Sequence, residues 1–567
     1  MIEAKQPDFD AIVIGSGMSG GWAAKELCER GLKVLVLERG KDIQHGMDYL
    51  GEHAGDWKLP YQGKKPRAEY EEEYAIQQAC YAMGEGTRHV FNNDKENPYH
   101  YDAKHPFEWL RADAVGGRSL LWGRQVYRWS DVDFQANSRD GYGIPWPIGY
   151  EDVASWYTHV EKHIGVSGEA LGLPELPDSE FLPPMELFAL EKTIKGRLAK
   201  KASDVKYTIG RVAVLTQEHK GRAACHYCGP CHKGCSTGSY FSSQSSTLPA
   251  ARATGNLTLL PNSVVERLEF DPVTGHISEV HVINSRNMER KHFSARLFFL
   301  CASTVGSTQI MLNSRSETFP DGLANSSGTL GTHLMDHVYG VGRAGIYLDN
   351  MNSYYHGNRP TGGYIPRFRN LPWNKEHNDY LRGFNYQTQC MRTDWRLTMN
   401  SKGFGADLKN SLRKPGYWVW ATAGFGECLP RASNRMYLHH SKVDRFGIPQ
   451  VGFEFNWHQN EHALVKAMNS EADRLHKAAG AIFTLSLGDE AAPPGRAIHE
   501  MGTARMGDDP TNSVLNSRNQ AHDVANLFVT DGSCMTSASC VNPSLTYMAL
   551  TARAVDYAVT LLTEGQL

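Results

Sequence analysis

The feature that most constrains the fold is a glycine turn set between two short apolar runs. Ala11–Ile14 is followed by Gly15-Ser16-Gly17-Met18-Ser19-Gly20, then by a helical stretch through Ala23, Ala24, Leu27 and Cys28 that Gly31 ends. Val34–Leu37 is the second run, and Glu38 stands at its carboxyl end. Apolar runs without alternation are the pattern of strands buried on both faces of a parallel sheet. In a βαβ unit of this kind the first glycine permits the tight turn. The second lets the backbone approach a pyrophosphate, and the third permits close packing of helix on strand. The helix N-terminus adds positive potential, and an acid about 20 residues further on accepts hydrogen bonds from ribose hydroxyls. The unit predicts an α/β chain with a Rossmann-like dinucleotide-binding domain, and it leaves FAD and NAD as alternatives.

Composition bounds the rest. With 567 residues, 41% of them hydrophobic and 10% aromatic, the chain has ample material for a large core. The formal net charge is −3 and no basic run stands out, which argues against nucleic acid as a partner. No uninterrupted apolar stretch reaches the roughly 18 residues that span a bilayer. The first ten residues lack the basic, apolar and small-residue zones of a secretion signal, so a cytoplasmic location is expected of the chain as it stands. Strand and helix signals alternate again from about 206 to 340, whereas 341–480 is rich in Tyr, Trp, Asn and Arg with alternating strands. This order predicts a cofactor domain discontinuous in sequence, formed by residues 1–45, 109–130, 206–340 and 485–567. A second, α+β substrate-binding domain on an antiparallel sheet takes residues 46–108, 131–205 and 341–484.

The C-terminal segment carries the chemistry. His499-Glu500-Met501-Gly502-Thr503 precedes Asp531-Gly532 and then Asn542-Pro543, which opens an apolar-periodic helix. Oxidising an alcohol needs a base for the hydroxyl proton, and imidazole titrates near operating pH. The chain has 24 histidines, so it is the glycine-bearing turn around His499 that singles this one out. Asn542 can present both a donor and an acceptor to a substrate hydroxyl. Pro543 suits the first helical position, with Leu545, Met548, Ala549, Ala552 and Val555 as the buried stripe. Such a helix aims its positive end at charge building up on an electron acceptor.

Taken together, these segments resemble the glucose–methanol–choline family of FAD oxidoreductases. The carrying matches are Ala11–Gly20 with Glu38, Ala302–Ser307, Asn434-Arg435-Met436-Tyr437, His499–Gly507 and Asp531–Asn542. The resemblance implies His499 as catalytic base and Asn542 at the second active-site position, where the family has histidine or asparagine. It implies an adenine-binding strand at Val265 and a flavin contact at Asp531 and Gly532. Further cofactor contacts are expected at Ser19 and Arg39, at Gly116, Gly117 and Ser119, at Ala302, and at Pro543 and Thr546. Leu121 stands where some pyranose oxidases carry the histidine that bonds the flavin, so FAD is expected to be held non-covalently.

Within the family the likeness is greatest to sugar dehydrogenases, including glucoside 3-dehydrogenases and their oxidase relatives. The implied reaction oxidises a secondary hydroxyl of a sugar or glycoside, favoured at C3 to give a 3-keto glycoside. His499 removes the proton, Asn542 orients the oxygen, and hydride passes to flavin N5. The glycoside is expected among Trp and Tyr side chains of 341–480. The alternatives are another sugar position or a non-sugar alcohol, an NAD-dependent dehydrogenase, and a non-enzymatic flavin and iron–sulfur electron-transfer subunit. His333, Asp336 and His337 read as a helix-end or domain-joint cluster, with metal binding the lesser alternative, and Arg435 and Arg505 as structural ion-pair formers in preference to substrate clamps.

Four of the eleven cysteines fall at Cys225, Cys228, Cys231 and Cys235, while the other seven show no framework spacing. An iron–sulfur cluster, [4Fe–4S] or three-ligand [3Fe–4S], is the favoured reading, as in family members with a comparable insertion. Zinc, with His226 and His232 able to contribute, and free thiols are the alternatives. A cluster implies electrons leaving to a protein acceptor such as a cytochrome; without one, oxygen or soluble dyes take them. Related sugar dehydrogenases pair with a small signal-bearing subunit, which would permit periplasmic co-export.

Overall fold

Two sheets of opposite character organise the computed structural model, which describes residues 7–353, 358–374, 379–393, 404–413 and 415–567. The opening six residues and the remaining stretches within the 341–484 region lie outside the described residues, so the readings made there are not addressed. The first sheet has seven strands. Its parallel part runs in the order Leu257–Leu260, Val34–Leu37, Phe9–Ile14, Arg290–Leu300 and Leu527–Val529. The two apolar runs of the glycine-turn unit are thus its adjacent central strands, buried on both faces. The long strand Arg290–Leu300 also pairs antiparallel with His276–Asn284, which pairs with Ser263–Asp271.

Register aligns the carboxyl ends. Ile14 stands beside Leu37 and Leu300, Leu37 beside Leu260, and Leu300 beside Val529. The segments that follow these strands therefore start at one level, at the edge where doubly wound sheets bind ligands. The helix Met18–Glu29 packs beneath that edge against the C-terminal helix Ser544–Thr563. Leu545, Met548, Ala549, Ala552 and Val555 of the latter are all buried, as the stripe requires.

The second sheet is antiparallel. Its six strands run Phe483–Gly488, Val338–Tyr347, Trp418–Gly426, Phe384–Arg392, Gly363–Ile365 and Thr208–Ile209. One face is covered by the helix Gln459–Ala479, which buries Leu464, Val465, Met468, Ala472 and Leu475 at helical spacing against Phe384, Tyr386, Trp418 and Trp420. Each of the Leu, Val and Met side chains contributes about 1.5–3 kcal/mol. Glu461 starts that helix by accepting the His458 amide at 3.0 Å, and Gly480, at φ 87°, ends it. Residues 385, 387 and 389 fall by alternation on the other face. A small sheet of Arg435–Val443, Pro449–Glu454 and His100–Tyr101 completes the strand inventory. Among the described residues no helix is long and apolar enough to cross a membrane.

Candidate active site

The glycine turn is built for close approach. A Cβ on Gly20 would overlap the Gly15 carbonyl, so only glycine lets the helix sit this near the strand. Gly17 instead faces open space, with nothing within 4 Å of where its Cβ would stand. The helix that follows has no side-chain cap and no acid in its first turn, so its leading amides are left for an anion. These features fit a pyrophosphate-bearing cofactor.

Other expected contacts converge on the turn through direct hydrogen bonds. Glu38 accepts from the Ser16 amide and hydroxyl at 3.0 and 2.5 Å and from the Gly40 amide at 2.7 Å, so it braces the turn against the second strand. Burial pushes its carboxyl up. The Gly116 amide donates to Ser16 Oγ at 2.9 Å. Ser119 lies 3.3 Å from Ser243, whose hydroxyl donates to the Ser16 carbonyl at 2.7 Å, and Gly117 lies against Gly17. Ser19 donates to the Thr530 carbonyl at 3.2 Å. The Ala302 amide donates to Ser307 Oγ, which donates to Asp531 at 2.5 Å. Val265 is buried in a strand whose first residue, Ser263, donates its amide to the Glu38 carbonyl.

Arg39 turns away toward Asn97 (2.8 Å) and Asp113 (3.6 Å), and Thr546 is engaged by the Tyr157 hydroxyl at 2.8 Å. Pro543 stands at the cap of the C-terminal helix, one position before the first helical turn where the sequence placed it. Its carbonyl accepts the Tyr547 amide, so its ring still serves the helix start.

The pair expected to be catalytic comes together. His499 Nε2 lies 3.2 Å from Asn542 Nδ2. Gln387 donates to Asn542 Oδ1 at 2.7 Å, which leaves Nδ2 as the donor toward His499. His499 Nε2 is then an acceptor, and its proton resides on Nδ1, 2.9 Å from His337 Nδ1. His337 passes the polarity on, because its Nε2 donates to the Ala538 carbonyl at 3.2 Å. One ordered chain, Gln387 to Asn542 to His499 to His337 to Ala538, fixes the tautomer that a base acting at Nε2 needs.

The scaffolding is long-range. Met335 and Met501 exchange backbone hydrogen bonds at 2.8 and 2.9 Å, which lays the 335–337 segment alongside 499–501. Asp336 accepts the amides of Gly495 (2.7 Å) and His499 (3.1 Å). Burial and neighbouring Glu500 push its carboxyl up to about 7. Glu500 is paired with Arg118 at 2.7 Å. Burial pushes His337 down to about 4 and holds His499 well below the usual imidazole range, with His337 and Arg118 adding to the effect. The Gly502 amide donates to the Gly532 carbonyl at 2.9 Å, tying the histidine turn to the Asp531 turn.

Asp336 and His337, read from the sequence as a joint cluster, therefore belong to the site itself. Gln387, Arg118 and Glu500 belong with them and went unread. Only the adjacency of Asp336 and His337 gave a local signal, because the pairing with 499–501 spans more than a hundred residues. The expected aromatic sugar platform is corrected in part. Trp418 and Trp420 are fully buried on the helix-covered face. The aromatic groups near the base are Phe425, with ring centroids 6.0 Å from His499, and Tyr339, 4.8 Å from Phe425. Arg435 pairs with Glu454 at 2.8 Å as expected, but Arg505 meets only the Asn512 carbonyl.

Among the described residues no group of three or more His, Cys, Asp or Glu side chains is arranged to hold a metal ion. Cys225, Cys228, Cys231 and Cys235 are free thiols. Cys225 Sγ accepts the Tyr227 amide at 3.4 Å and Cys235 Sγ meets Thr237 Oγ1 at 3.4 Å. His232 is pushed down by burial. The chain bends through a left-handed Tyr227 and Gly229, and burial, with Cys231, Cys235 and Cys228 nearby, pushes the Cys225 thiol up to about 11.

A parallel-sheet nucleotide fold joined to an antiparallel sheet, with histidine and asparagine meeting between them, defines an FAD-dependent oxidoreductase acting on CH–OH groups. The chain belongs to the GMC oxidoreductase family: models of that family match residues 209–339 and 430–551, and an NAD(P)-binding Rossmann-like model matches 13–48. It is 29% identical to a 2-methyl-1,2-propanediol dehydrogenase of Mycolicibacterium austroafricanum, over 97% of this chain and 94% of that one. It is 30% identical to a C-glycoside 3-oxidase of Microbacterium trichothecenolyticum over 53% of this chain and 54% of that one. The fold matches the crystal structure of a pyridoxine 4-oxidase with a TM-score of 0.59 at 15% identity, covering 98% and 99% of the two chains.

Proposed function

We propose that the chain oxidises a secondary hydroxyl of a sugar or glycoside, with the C3 hydroxyl of a glycoside favoured and a 3-keto sugar as product. The observation that carries this reading is the 3.2 Å approach of Asn542 Nδ2 to His499 Nε2, with both groups oriented from behind by Gln387 and His337. FAD, when bound without a covalent link, supplies the hydride acceptor at flavin N5. Residues 1–45, 109–130, 206–340 and 485–567 would hold it. Gly15, Gly17, Ser19 and Gly20 would carry the pyrophosphate, Glu38 and Arg39 the ribose end, and Val265 the adenine. Gly116, Gly117, Ser119 and Ala302 would line the middle, and Asp531, Gly532, Pro543 and Thr546 the flavin end.

A hydroxyl entering between His499 and Asn542 exchanges their mutual hydrogen bond for two. Its O–H donates to His499 Nε2, and its oxygen accepts from Asn542 Nδ2. The base begins neutral because burial lowers its proton affinity. Once it holds the proton, its Nδ1–H stays on His337. Gln389, exposed on the sheet face that carries Gln387, offers an amide to a polyhydroxyl substrate.

The likeness to a C-glycoside 3-oxidase supports position C3. A second reading, oxidation of a small diol, is supported by the longer match to the propanediol dehydrogenase. An anaerobic panel of glycosides and diols, read by loss of oxidised flavin absorbance and by NMR of the product, separates them. Bleaching by glycosides with a C3 ketone formed is the expected result. Bleaching by diols alone sinks the sugar assignment. Iron and labile-sulfide analysis of the purified protein tests whether a cluster at the cysteine run relays electrons to a cytochrome in place of transfer to oxygen.

A further inference from the structure

A second cavity of about 440 Å³ lies away from the catalytic pair. Tyr142, Ile144, His333, Arg431, His458 and Arg505 line it, and none of His499, Asn542, Gln387 and His337 does. Its wall carries two guanidinium groups and two imidazoles but no carboxylate. Arg505 is the unusual member. It is only 7% exposed, and its Nε and Nη2 both donate to the Asn512 carbonyl, at 3.1 and 2.9 Å. Among the described residues it has neither an acidic partner nor any acceptor for Nη1. Burial alone pushes it down to about 10, and its charge helps to push His333 down to about 4.

The neighbours offer more donors than acceptors. Arg431 donates to the Tyr142 hydroxyl at 2.5 Å and lies 3.8 Å from Glu461, while its Nε is buried without a partner. His458 Nε2 is likewise buried and unpartnered. His458 caps the long helix Gln459–Ala479, so the positive end of that helix faces the same space. The one acid in its first turn, Glu461, is already engaged by the amides of Leu429 and His458. A buried cation set against a neutral carbonyl is costly unless a counter-charge reaches it. The open cavity is the route by which one can arrive.

We propose that this cavity binds an oxyanion (a phosphate, sulfate or carboxylate group), with Arg505 as the charge partner and Arg431 and His458 as further donors. The space exceeds what a single ion fills and is in the range of small-molecule sites, so the group can arrive free or on an organic molecule. Calorimetric titration of the FAD-loaded protein at matched ionic strength in chloride, once with inorganic phosphate and once with a hexose phosphate, distinguishes the two sources. Saturable binding is expected. Arg505→Gln should weaken it at least about tenfold, and Arg431→Gln should weaken it in the same direction. Tighter binding of the hexose phosphate assigns an organic ligand, and equal binding assigns the free ion. Absence of saturable heat with either probe, or unchanged affinity in both variants, overturns the proposal. If Arg505→Gln does not fold with its cofactor, unchanged affinity in Arg431→Gln alone overturns it.

Discussion

In the proposed reaction an imidazole becomes a useful base because its neighbours decide where its proton sits and how tightly it is held. His499→Ala should lower the rate of substrate-dependent flavin reduction by orders of magnitude while the protein still purifies with FAD, read by stopped-flow absorbance. His337 is a positioning residue. His337→Phe removes the acceptor for Nδ1–H and should lower kcat by roughly 10–100-fold with cofactor content unchanged. His337→Asn, whose amide oxygen can accept, should recover part of the loss. Equal activity in the phenylalanine variant would remove His337 from the account. The pH profile follows from the depressed proton affinity of His499. The neutral base persists as pH falls and is lost only on passing through the lowered value. The acid limb of kcat/KM should therefore lie below the ordinary imidazole range near 6.5, and a limb at or above it would contradict the burial argument.

At the scale of elements, the glycine turn was legible because its demands are steric and local. Gly15 answers a contact with the adjacent strand end and Gly20 one with Gly15, so spacing alone encodes them. Gly20→Ala drives a methyl group into the Gly15 carbonyl. It should cost about 1–3 kcal/mol and strip the purified protein of yellow colour, measured as the flavin-to-protein absorbance ratio. The cysteine run shows where spacing stops being informative. Four thiols close in sequence suggested a shared ligand, but convergence depends on backbone torsions and on competing partners such as the Tyr227 amide. Gln387 had no local signature at all. It is one polar residue in a strand, and its role comes from the register that sets it opposite Ala423 and beside Asn542.

For the whole molecule, the α/β class and the second, antiparallel sheet were readable from apolar runs and alternation. What the sheet faces do was not. Trp418 and Trp420, two of the rings expected to cradle a sugar, lie against the helix Gln459–Ala479, because large apolar rings gain most when fully dehydrated. Met468→Ala, at the centre of that helix–sheet contact, should cost about 2–5 kcal/mol and lower the melting temperature while leaving the flavin spectrum in place. An unchanged melting temperature would mean the contact is dispensable.

The strand Leu527–Val529, taking its place beside Arg290–Leu300, has a consequence for biogenesis. The parallel sheet gains this strand long after the ones it joins have been made, with Asp531 and Asn542 behind it. Nascent chains stalled before that point should be unable to retain the coenzyme, so its capture is expected to wait until synthesis has passed residue 542.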